Sequence, residues 1–258
     1  MAAVAALLDG RAALTALTRS LPRGAAPVLA CRSAAGLERV LGSRLVDTLV
    51  VGRKATRGID LGWLRAQYPG IPLVWYGVLR SDEAEYLVAL VDRYQVDAVV
   101  VEGVDDPVAG EVVVRHSVTA RRRAQLANAP RLLRLTEPLQ RAAWDLLLAT
   151  PGNPPTTATV ARRLGVSREH LSRQFGAGGA PNLKRVIDLL QVVTGLDLLT
   201  NPGYTVPVVS RVLGYGTATH FRSVVKRIAG LRSVDYPRAS VAEVVRRFAG
   251  GRGRSRRG

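Results

Sequence analysis

Three short runs, Val46–Val51 (VDTLVV), Ile71–Tyr76 (IPLVWY) and Val96–Val101 (VDAVVV), are apolar almost throughout and rich in β-branched residues. A strand with one wet face alternates polar and apolar residues, whereas a run apolar on both faces belongs inside a parallel sheet. Parallel strands need crossovers, and helical stretches stand where they are required: Ser33–Leu41 before the first run, Asp60–Gln67 before the second and Ser81–Tyr94 before the third. In the last of these, Tyr86, Leu87, Leu90 and Val91 recur at helical spacing and form one apolar face for the sheet. Pro27–Cys31 reads as a further strand, and Ala2–Leu8 as a weaker one because alanine has low strand preference. Strands alternating with helices in this way predict a doubly wound α/β domain.

Ligands of open α/β sheets bind at the carboxyl ends of strands, here the loops after Gly52, Gly77 and Glu102, where the glycines read most simply as turns. The order of elements across residues 1–125 resembles the receiver domain of response regulators, a flavodoxin-like fold. That resemblance implies a phosphoacceptor aspartate after the third strand, where this chain has Gly52. It implies Thr or Ser after the fourth strand and lysine after the fifth, where Gly77 and Glu102 stand. Of the acidic pair after the first strand only Asp9 remains. Phosphoryl transfer needs a nucleophilic carboxylate, a metal-holding acidic pair and a cation, so the expectation is a pseudo-receiver.

Near Arg115–Arg134 the text turns from α/β alternation to basic helical sequence, with a helix running through Arg121–Arg123 and a connector at Asn128, Ala129 and Pro130. From Pro138 an apolar stripe of Leu139, Ala142, Ala143, Leu146 and Leu147 predicts a first bundle helix. Residues 156–175 then read as helix, turn and helix: Val160, Ala161 and Leu164 face inward, Gly165 stops the first helix, Val166 plugs the turn, and Ser167 caps a second helix anchored by Leu171 and Phe175. Residues 205–230 repeat the pattern, with Val206, Val209 and Val212, a Gly214-Tyr215-Gly216 turn, a Thr217 cap, and Phe221, Val224 and Val225 inward. Between the two, Asn182–Asn201 places Val186, Leu190, Val193 and Asp197 on one side and predicts a rigid connecting rod.

With Ala161, Leu164, Gly165, Ser167, Leu171 and Phe175 in the first unit and Gly214, Tyr215, Phe221, Lys226 and Gly230 in the second, the segment 137–238 resembles the AraC/XylS family of transcription regulators. Gln191 and Gly195 depart from the arginine and alanine usual in that family, and Ser233 from a common proline. The resemblance implies that each second helix enters a major groove, the two lying about one duplex turn, roughly 34 Å, apart. The outward residues of the first reading helix are Arg168, Glu169, Ser172 and Arg173, the last three favoured by the resemblance. Arg173 suits a guanine edge, a contact worth about 1–3 kcal/mol of discrimination, and Glu169 either accepts from cytosine or repels wrong bases. On the second helix Ala218, Thr219, Arg222 and Ser223 face outward, with Thr219 and Arg222 better placed for bases. Lys226, Arg227, Arg162 and Arg163 suit phosphates or read as solvated charges, the solvated reading coming first for Arg162 and Arg227. His170 and His220 sit beside core residues and read as packing or phosphate contacts before any metal role.

The charge distribution agrees. Residues 1–125 hold 16 Lys/Arg against 13 Asp/Glu, while 126–258 hold 21 against 7, so nearly all of the net +17 lies in the second half. Such a half favours a polyanion partner through counterion release. The organisation expected is a receiver-like α/β domain at 1–127, a linker at 128–136, a double helix-turn-helix domain at 137–238, and a C-terminal helix with a disordered glycine-arginine tail at 239–258. Double-stranded DNA is the expected partner, with a homodimer through the first domain and RNA polymerase as further ones. No uncharged apolar stretch suits a membrane span, no secretion signal is read at the start, and the single cysteine, Cys31, fits a cytoplasmic protein. No nucleophile, base and orienting residue form a set, and Asp105 and Asp106 read as helix caps, so neither enzyme activity nor a cofactor is expected. The rival reading is a non-sequence-specific architectural or RNA-binding protein.

Overall fold

The computed structural model describes residues 2–150, 152 and 155–251, in two compact units. One comprises Met1–Arg121 with Asn201–Tyr204, the other Arg122–Thr200 with Thr205–Gly258. Residues 252–258, most of the expected tail, lie outside the described residues.

The first unit runs β1 (Ala3–Leu7), α1 (Arg11–Ser20), β2 (Val28–Ala30), α2 (Ala34–Ser43), β3 (Val46–Val51), α3 (Arg53–Gly58), α4 (Leu61–Gln67), β4 (Leu73–Gly77), α5 (Ala84–Tyr94), β5 (Ala98–Val101) and α6 (Ala109–Arg115). The five strands are parallel in the order β2-β1-β3-β4-β5, the flavodoxin-like arrangement that the strand runs anticipate. The strand runs leave α1 and α3 unassigned, although α1 places Ala13 and Leu17 at helical spacing on its buried face. Val4, Ala6, Val50, Val74, Tyr76 and Val100 meet Ala13 and Leu17 of α1 and Ala109 and Val113 of α6 in one apolar layer. There α6 comes so close to the end of α1 that a Cβ on Gly110 would lie 2.3 Å from the Ser20 carbonyl oxygen, and the Gly110 N–H donates to Ser20 Oγ at 2.8 Å. The two polar residues inside β3 are satisfied: Asp47 accepts from Thr119 N and Oγ1, and Thr48 donates to the Val113 carbonyl. Of the expected apolar face on α5, Leu90 is buried, Leu87 and Val91 are half-buried and Tyr86 is exposed. The unit also holds the short segment Asn201–Tyr204: Asn201 Oδ1 accepts from Gly70 N at 2.7 Å, Gly203 N donates to the Gln67 carbonyl at 2.8 Å, and Tyr204 packs edge-on to Tyr68.

The helix α7 (Val118–Gln125) carries the Arg121–Arg123 triplet as expected, and the expected connector folds into a short helix, α8 (Ala129–Leu132). The rest of the second unit is α9 (Pro138–Ala149), α10 (Thr157–Arg163), α11 (Arg168–Phe175), α12 (Leu183–Leu198), α13 (Val206–Val212), α14 (Ala218–Ala229) and α15 (Val241–Gly250). The stretch anticipated as a one-sided rod is instead the centre of this unit: every residue of α12 from Val186 to Leu196 is buried. Its sequence explains why, because a helix apolar all round must be covered all round, here by α9, α13, α14 and α15. Most of its polar groups are partnered, with Gln191 Oε1 the buried exception. Asp188 takes Lys184 at 2.6 Å and Arg227 at 2.9 Å, Thr194 donates to the Leu190 carbonyl, and Gln191 donates to the Gly152 carbonyl. Asp197 pairs with the buried Arg122 at 3.0 Å.

Gly195 is a point of close helix approach in the second unit. A Cβ there would lie 2.6 Å from the Phe221 ring of α14 and 3.1 Å from Leu213 Cδ1. Phe221 is fully buried and has no room to withdraw. Gly195→Ala is therefore expected to destabilise the protein by about 1–3 kcal/mol of overpacking, offset in part by the roughly 1 kcal/mol that alanine gains in a helix. A fall in urea midpoint at unchanged slope is the expected reading, and a rise would show that the ring yields.

Candidate nucleic-acid interface

Both helix pairs of the second unit are built by the same local rules. In the first, α10 is capped by Thr156 and ends at Gly165, whose φ of +68° needs a residue without Cβ. Val166 N then reaches back to the Ala161 carbonyl at 3.1 Å, closing the helix end. Ser167 Oγ accepts from His170 N at 3.1 Å and starts α11. In the second, Gly214 has φ +76°, Tyr215 N reaches the Ser210 carbonyl at 2.8 Å, and Thr217 Oγ1 accepts from His220 N at 3.0 Å to start α14. The second turn is one residue longer between glycine and cap.

These turns fix which faces are buried. In α11, Leu171 and Phe175 are inside; in α14, Phe221, Val224, Val225 and Ile228 are. The opposite faces hold every residue expected to meet DNA. Arg168, Glu169, Ser172 and Arg173 on α11 and Thr219, Arg222, Ser223 and Lys226 on α14 are all exposed. None of their charged groups belongs to an ion pair among the described residues, so their charge is available to a partner. Arg162 and Arg163 are exposed too. Arg227 differs, because its guanidinium is committed to Asp188 and it serves the fold. Both histidines are exposed, and His220 stacks edge-on with Tyr215.

Pattern reading missed Gln140. This fully buried side chain on α9 accepts from Glu137 N at 3.1 Å and donates to the carbonyls of Gln174, Phe175 and Ala177 at 3.1–3.3 Å. Carbonyls at a helix end lack partners within the helix, and Gln140 supplies one that locks the end of α11 in place. An amide in an otherwise apolar stripe was the available signal.

At the carboxyl edge of the sheet in the first unit, the place of a phosphoacceptor is filled. Asp9 accepts from Lys54 N through Oδ1 at 2.9 Å and Oδ2 at 3.1 Å, and a Cβ on Gly52 would lie 2.7 Å from Asp9 Oδ1. Gly52 is thus a close-approach glycine, more than a turn. Asp105 and Asp106 cap no helix: Asp105 accepts from Val101 N, and Asp106 from Gly103 N and the Tyr76 hydroxyl at 2.6 Å, which folds the loop after β5 back on the strands. Burial and that acidic neighbour push the Tyr76 hydroxyl well above its usual range. Glu102, at the expected lysine position, is raised by partial burial and by the charges of Asp106 and Asp9.

Comparison with protein-family models finds no match, and comparison with curated protein sequences finds none. Among solved structures the chain is similar to full-length FixJ from B. japonicum, at 13% identity over 89% of this chain and 98% of that one, with a TM-score of 0.36. It is also similar to the transcriptional regulator CdpR from Pseudomonas aeruginosa, at 22% identity over 72% of this chain and 61% of that one, with a TM-score of 0.37. The fold assignment rests on the strand order and helix arrangement given above. No helix among the described residues is long and apolar enough to cross a membrane.

A carboxyl group with a raised folded pKa makes the folded state hold its proton more tightly, so its contribution is present below the unfolded value and is lost as pH rises through the folded one. Glu102→Gln should therefore raise the melting temperature at pH 7 and lose that advantage near pH 4. An equal effect at both values in a pH series of thermal melts would remove the charge explanation.

Proposed function

We propose that the chain is a sequence-specific DNA-binding transcription regulator whose second unit is a double helix-turn-helix reader of AraC/XylS type and whose first unit is a pseudo-receiver. The observation that carries the reading is the pair of similarly capped helices, α11 and α14, whose buried faces are apolar and whose exposed faces present unpaired cations and small polar groups. Two such helices in the strongly basic half of the chain suit two major grooves of one duplex. Arg173 and Arg222 are the residues for base edges, Arg168, Glu169, Ser172, Thr219 and Ser223 supplement them, and Lys226 holds a phosphate. No catalytic role is assigned in either unit. The Asp9 carboxylate against Gly52 supports the pseudo-receiver, since the nucleophile is missing and its place is taken.

A duplex selected from a random-sequence pool, an unselected duplex and a single-stranded RNA separate the readings in one anisotropy competition. Arg173→Ala is expected to weaken the selected duplex by about 1–3 kcal/mol and the unselected one hardly at all, whereas Lys226→Ala should weaken both alike and reduce the salt slope by about one. If the RNA competes as well as the selected duplex, the protein uses charge without reading sequence and the proposal falls. Incubation with acetyl phosphate and Mg²⁺ should leave the first unit unlabelled, and stoichiometric labelling would overturn the pseudo-receiver.

A further inference from the structure

Within the second unit a cavity of about 400 Å³ lies among the end of α8, the start of α12 and the end of α15. We propose that it binds a small organic carboxylate with an apolar body, at a site separate from the reading helices. The size falls in the range of small-molecule sites, roughly 300–1,000 Å³. Two guanidinium groups, Arg134 and Arg185, line it, with no acidic residue among the lining. Neither arginine belongs to an ion pair among the described residues.

Arg185 is stacked in place, whereas Arg134 is exposed. Arg185 lies 5.1 Å from the centre of the Phe248 ring, a cation–π contact that leaves the edge of the guanidinium for another partner. Arg134 has a φ of +56°, a left-handed turn, and beside it Gly179, with φ +76°, leaves space that a Cβ 3.3 Å from Arg134 Nη1 would take. Guanidinium forks bind carboxylates through paired hydrogen bonds. Of the remaining walls, the half-exposed Leu132 and Pro181 give apolar surface for a ring or a short hydrocarbon, and Asn182 adds a polar group.

The test titrates the full chain with benzoate, its neutral isostere benzamide and inorganic phosphate, by calorimetry and by amide chemical shifts. Benzoate should saturate, shifting the amides of Gly179, Arg185 and Phe248, with benzamide and phosphate at least tenfold weaker. Arg134→Gln with Arg185→Gln should cost at least tenfold in benzoate affinity while the thermal melt and the affinity for an unselected duplex stay within twofold. Arg185→Lys, which keeps the charge and loses the fork, gives the second reading and should fall in between, so a double variant that fails to fold does not decide the matter. Four results would overturn the proposal. They are benzamide binding equal to benzoate, phosphate binding as tight as benzoate, retained binding in both variants, and loss of duplex affinity in the variants, which would make these arginines phosphate contacts.

Discussion

The second unit depends on the enclosure of α12. A helix apolar on every side gains roughly 25 cal/mol for each Å² of apolar surface removed from water, and it gains this only if neighbours cover it completely. Four helices do so, and two of them, α13 and α14, form the second helix-turn-helix unit. The exposed face of α14 is thus the outer side of a shell whose inner side is spent on α12. Asp188 joins the two layers. Its carboxylate is buried in α12, while its partners Lys184 and Arg227 keep most of their side chains in water. Exposed cations contribute little as ion pairs, but a buried carboxylate without them would be costly, so Arg227 belongs to the scaffold that aims α14.

The end of α11 is held by hydrogen bonds as well as by the burial of Phe175. Gln140 shares its amide N–H groups among three carbonyls at the point where α11 gives way to the loop before α12. A buried amide with several partners fixes direction as well as distance, which a leucine in the same place does not. Helix α14 is set by the close approach of Phe221 to Gly195, and α11 gains a polar clamp from α9.

Much of this was legible. Runs such as VDAVVV have a single comfortable environment, the middle of a parallel sheet, and the crossover rule then dictates helices between them. Gly165 and Gly214, each followed within three residues by a hydroxyl cap, mark their turns because the left-handed region excludes most other residues. What escaped was relational. The apolar periodicity of residues 183–198 is compatible with one covered face or with all, and only the neighbours decide. Gly195 and Gly52 look like ordinary helix and turn glycines until the groups pressed against them, Phe221 and Asp9, are located. The local chemistry of Asp105 and Asp106 suits helix caps, yet their partners are strand and turn amides and a tyrosine 30 residues away.

The contact between Asp9 and Gly52 bears on how such a domain can change with time. A carboxylate introduced at position 52 would meet Asp9 Oδ1 inside van der Waals distance and add a second negative charge beside it, while Asp9 would give up two hydrogen bonds to Lys54 N on moving aside. An acidic residue at position 52 thus lowers stability before it brings any chemistry, and it becomes tolerable only together with a change at Asp9.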